Sequence, residues 1–144
     1  MGSSLRTGAR RAALYGMLAG IVTALQVAMS FLPNIEPVTL LIMVYSMVFG
    51  REVLYIAATF VLLEGFVFGF GLWWFSYLYI WPLWALLARL IPRQSPAPVW
   101  AAAGGAFGLS FGALCALPYL LAGGWGAAVS YWISGIPFDL AHCG

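Results

Sequence analysis

The stretch from Pro37 to Phe70, PVTLLIMVYSMVFGREVLYIAATFVLLEGFVFGF, decides the fold class. Two apolar runs, one from Val38 to Phe49 and one beginning at Val53, are parted only by Gly50, Arg51 and Glu52. The one further charge, Glu64, lies deep in the second run. A soluble amphipathic helix keeps a charged face toward water, and these runs have none. The rest of the chain repeats the pattern: of 144 residues, 64% are hydrophobic and 7% charged, against about a quarter charged in a soluble domain. An all-α, polytopic membrane bundle follows. The length allows about six spans of ~20 residues and leaves no room for a soluble domain.

Working outward, apolar runs cover residues 12–32, 38–50, 53–72, 73–91 and 99–121, with a broken stretch from Ala122 to the end. The second is short, because thirteen residues reach only about 20 Å against a hydrocarbon core of roughly 30 Å. Arginines test the division independently, since cytoplasmic loops are enriched in them. Arg6, Arg10 and Arg11 precede the first run, Arg51 separates the second and third, and Arg89 and Arg93 close the fourth. All six therefore fall on one side. The opposite loops hold Glu36 as their only charge, which predicts six spans with a cytoplasmic N-terminus. The basic leader MGSSLRTGARR runs straight into the first span with no small-residue cleavage site, so it reads as retained.

Small residues recur every four positions in the first run, at Ala12, Gly16, Gly20, Ala24 and Ala28, and in the fifth at Gly104, Gly108, Gly112 and Ala116. Such ladders let helices approach closely in lipid. Packing within the bundle is expected for the fifth run; for the first, docking onto another protein is a fair rival.

Polar groups at membrane depth are costly, so each is a candidate for function. Glu64 serves either an interhelical hydrogen bond, to Gln26 or a Ser, or a ligand. Asn34 and Glu36 sit in PNIEP, a loop stiffened by two prolines that can hold them over a pocket mouth. Trp73, Trp74 and Tyr77 open the fourth run, while Tyr119, Trp125, Tyr131 and Trp132 surround the last loop. An interfacial belt accounts for any one of these rings. Together with Asn34, Glu36, Asp139 and His142 they supply an aromatic-lined pocket with polar anchors.

The chain ends SGIPFDLAHCG. Pro137 suits the first turn of a helix and Asp139 its positive end, which predicts a last span starting near Ile136, with Asp139 and His142 on one face near its outer end. Only nine residues then remain, so the span is expected to be truncated. The rival division starts the span at Gly126 and leaves Pro137 as a kink. Asp139, His142 and Cys143 make a weak metal set, and no metal or cofactor is expected. Without a Lys there is no phosphate loop of the GxxxxGK[ST] type, and neither HExxH nor GxSxG occurs. Cys115 and Cys143 form no CxxC pair.

The succession PNIEPVTLLIMVYSMVFGRE, LLEGFVFGFGLWWFSYLYIW, GAFGLSFGALCALPYLLAGG and YWISGIPFDLAHCG resembles the substrate-binding S components of energy-coupling factor (ECF) transporters, from Ala12 to Gly144. The resemblance implies a six-helix protein of the bacterial cytoplasmic membrane that captures a vitamin or related micronutrient from outside. It implies partners as well: a transmembrane coupling subunit, docked on Ala12, Gly16, Gly20, Ala24 and Ala28, and two cytoplasmic ATPases. Substrate would bind through Asn34, Glu36, Trp73, Trp74, Tyr77, Trp132, Asp139 and His142. Riboflavin-type members are similar in the Pro-Phe before polar residues three apart, but the Asp and His pair here departs from them. No enzymatic activity and no nucleic-acid partner are expected. The rivals are an intramembrane enzyme using His142 and Asp139, and a structural subunit of another membrane complex.

Overall fold

The structure is a computed structural model that describes residues 2–32 and 37–143. Among them there is helix and turn but no strand: α1 (Gly2–Met29), α2 (Pro37–Phe49), a 3-10 turn (Gly50–Glu52), α3 (Val53–Phe68), α4 (Leu72–Ala88) and α5 (Ala97–Cys143). Three helical stretches, Arg6–Met29, Pro37–Phe68 and Ala97–Leu140, are long and apolar enough to cross a membrane, and Leu72–Ala88 is a shorter apolar helix.

Two of those long stretches are folded back on themselves. At the first fold Gly50 has φ +59°, a conformation that costs glycine nothing, and the 3-10 turn reverses the chain. α2 and α3 then both pack on α4. Ser46 donates its hydroxyl to the Ala85 carbonyl (3.2 Å) and the Trp84 indole donates to Thr39 (2.9 Å), while the Trp74 indole donates to Val61 (2.9 Å).

The second fold is at Gly124, with φ +73° and ψ −170° inside α5. Beyond it the chain doubles back. Tyr119 stacks on Tyr131 with ring centroids 4.2 Å apart, and Asp139 reaches Gly112. The helix therefore does not start near Ile136 as expected; it runs from residue 125 straight through Pro137. Proline at a first turn and proline inside a helix read alike in a sequence, and in lipid an internal proline is tolerated where neighbours satisfy the freed groups.

The core is aromatic. Trp73, Tyr77, Trp81 and Trp84 recur at helical spacing along one face of α4. Trp81, fully buried, meets Phe60 of α3 at 5.9 Å and Phe107 and Phe111 of α5 at 5.9 and 5.7 Å. Val22, Ile42, Ile56 and Ile80 fill the space around this column.

Candidate functional site

Two aromatic residues expected to line a pocket do lie together. Trp73 and Tyr77 meet edge to face at 5.1 Å, and Tyr77 touches Phe111 at 6.4 Å. Phe111 precedes Gly112, the residue held by Asp139, so Tyr77 meets α5 one residue from the position where its second arm returns. Trp74 turns the other way. Its indole is bonded to Val61 and its ring packs on Phe70 at 4.9 Å, which ties down the α3–α4 turn.

Trp132 is 44% exposed on the second arm of α5. Asn34 and Glu36 lie outside the described residues. His142 is on the last turn of α5, and its side chain lies outside them as well.

Asp139 is the most informative of the expected site residues. It is 7% exposed, and both carboxylate oxygens accept the Gly112 amide proton, at 3.0 and 3.1 Å. A Cβ on Gly112 would fall on that carboxylate. Glycine is thus what admits the acid to the helix backbone. Because the helix begins at residue 125, Asp139 lies about 21 Å along the second arm at 1.5 Å per residue, far from the first turn in which a start near Ile136 would put it. The Gly104-to-Ala116 ladder identified Gly112 as a packing residue, but only the fold reveals which side chain it receives.

Glu64 is buried in α3 at 1% exposure. Gln26 Oε1 is buried and accepts no hydrogen bond among the described residues.

The first-run ladder lies on the surface. α1 buries Tyr15, Ala19, Val22 and Thr23 against the bundle, whereas Ala12, Ala24 and Ala28 are exposed and Gly16 and Gly20 partly so. A Cβ added at Gly16 or Gly20 would meet nothing within 4 Å. Below the ladder, Glu52 accepts the Tyr15 hydroxyl and pairs with Arg11 at 3.4 Å. Gly50, Arg89 and Arg93 line one pocket next to this turn, so arginines from the leader and from the α4–α5 loop gather at the same end of the bundle. That contact network was not legible in the sequence, which gave only the side on which the charges fall.

No family model matches the chain, and comparison with curated proteins and with solved structures finds none similar to it.

Proposed function

We propose that the protein is the substrate-specificity subunit of an ECF-type transporter in a bacterial cytoplasmic membrane. It captures a vitamin or related micronutrient from outside, and partner subunits drive its uptake with ATP. The observation that carries this reading is the uncovered ladder of α1. That helix already buries one face in its own bundle, yet keeps Ala12, Gly16, Gly20, Ala24 and Ala28 wholly or partly bare, which is the surface a second membrane helix needs for close approach. In this reading Trp73 and Tyr77 on α4 and Asp139 on the second arm of α5 belong to the substrate site. The gathering of arginines at the opposite end of α4 from Trp73 supports a cytoplasmic N-terminus.

The docking test is direct. Gly16→Leu and Gly20→Leu add bulk where the chain itself has space, so each variant is expected to fold and to bind ligand normally. Co-purification with the coupling subunit is expected to fall at least tenfold, and unchanged co-purification of the double variant would remove the docking face from the proposal. Mass spectrometry of the small molecule retained on purification identifies the substrate.

Topology has its own check. In a background lacking Cys115 and Cys143, a cysteine replacing Ser95 in the α4–α5 loop is expected to escape an impermeant thiol reagent added to intact cells. It should react once the cells are opened. Labelling from outside would invert the orientation.

A further inference from the structure

At the arginine end of the bundle, α2, α4 and the start of α5 enclose a pocket of about 180 Å³, walled in part by Ser46, Gly50, Ala88, Arg89, Arg93 and Trp100. Its chemistry is one-sided: two arginines line it and no acidic residue does. Among the described residues neither Arg89 nor Arg93 forms an ion pair. Glu52, the acid nearest in sequence to Gly50, is committed to Arg11 and Tyr15.

A third donor belongs to the same wall. Trp100 is 8% exposed, and its indole N–H is buried with no acceptor among the described residues. A buried donor left unpaired bears its full desolvation cost, so it calls for an acceptor. The residue stands in the first turn of α5, where the helix dipole is positive.

The geometry points to a binding site for a phosphate group. Guanidinium forks match phosphate oxygens in a way that a carboxylate-free, partly enclosed pocket strengthens, and Trp100 in the same wall carries a buried donor that still needs an acceptor. A pocket of about 180 Å³ has room for a phosphate group with some water. Two sources offer this chemistry at the surface of a membrane: the headgroup of an anionic phospholipid, and free inorganic phosphate. If the arginines only complemented the C-terminal end of α4 in open solvent, the Trp100 donor would have no role. Arg89 and Arg93 would then be interchangeable with Arg6 and Arg10.

The experiment uses the full chain in neutral detergent, with native mass spectrometry and thermal unfolding as readouts. Phosphatidylglycerol is compared with phosphatidylcholine, and inorganic phosphate with chloride at matched ionic strength. The phosphate-bearing anion of at least one pair is expected to bind one to one and raise the unfolding temperature. A response to phosphatidylglycerol alone assigns the lipid headgroup; a response to inorganic phosphate assigns the free anion. Arg89→Gln with Arg93→Gln is expected to weaken binding at least tenfold and Trp100→Phe three- to tenfold, while Arg6→Gln with Arg10→Gln changes it less than twofold. The two arginine pairs are exposed enough to be replaced without loss of the fold, so they decide the matter even where Trp100→Phe does not fold. Equal binding of each anion and its control overturns the site. So does an equal loss from both arginine pairs, which would mean diffuse attraction.

Discussion

Trp81→Ala is expected to destabilise the assembled bundle by about 3 kcal/mol, with the loss falling on the contact of three helices at once. The ring is fully buried and is touched by Phe60 from α3, Tyr77 from α4, and Phe107 and Phe111 from α5. Its removal leaves a void that these rings cannot all close, since moving toward it would break their other contacts. Truncating a buried Trp costs about 3–5 kcal/mol in soluble cores. The lower end applies in lipid, because inserted but unassembled helices already keep the ring out of water and only packing is lost.

Trp81→Phe separates packing from polarity. The Trp81 indole N–H has no acceptor among the described residues, so phenylalanine keeps most of the ring contact and removes an unpaired donor. Its cost should stay below about 1.5 kcal/mol. Reversible unfolding in mixed detergent measures both. A Phe variant as damaged as the Ala variant would show that a phenyl ring cannot take the place of the indole at the junction.

The limits of the sequence reading lie at two particular points. The breaks after Leu32, at Gly50, at Gly69–Gly71 and after Ile91 were legible, because apolar runs, glycines and prolines are local signals. The structure returns them as the ends of α1 to α4. Gly123 and Gly124 were legible as a gap, but not as a reversal at which helical hydrogen bonding resumes at once. Pro137 then drew the preferred helix start about eleven residues too late, while the rival start at Gly126 falls within a residue of the observed one. That shift moved Asp139 into a first turn, although it lies fourteen residues beyond the observed start.

The contact of Asp139 with Gly112 spans 27 residues, and no periodicity connects the two. Sequence flagged both residues separately, the acid as costly and the glycine as small. Only the antiparallel return of α5 makes each the reason for the other. The α1 ladder is the reverse case, since its spacing was plain and the fold adds only that the face is uncovered.

Gly112→Ala should destabilise the α5 hairpin by about 1–2 kcal/mol, although alanine is the better helix former. Two terms oppose each other. Replacing a glycine inside a helix gains about 0.8–1 kcal/mol. Against that, the new Cβ occupies the position of the Asp139 carboxylate, which must withdraw from the Gly112 amide. Hydrogen bonds to a charged acceptor contribute about 1.5–3 kcal/mol, and a buried carboxylate has nowhere wet to turn, so the loss exceeds the gain. Asp139→Ala removes the same bonds from the other side. With the carboxylate gone, Gly112→Ala meets no obstacle and should stabilise the Asp139→Ala protein by up to about 1 kcal/mol. The sign of one substitution thus depends on the residue 27 positions away, a coupling of about 2 kcal/mol in a double-mutant cycle. Ligand affinity measured on the same four proteins connects the cycle to function. A carboxylate that serves mainly as the clamp of the hairpin predicts that affinity follows stability through the cycle. A carboxylate that also contacts substrate predicts that Asp139→Ala, with or without Gly112→Ala, loses ten- to hundredfold in affinity even where the second substitution has restored the fold.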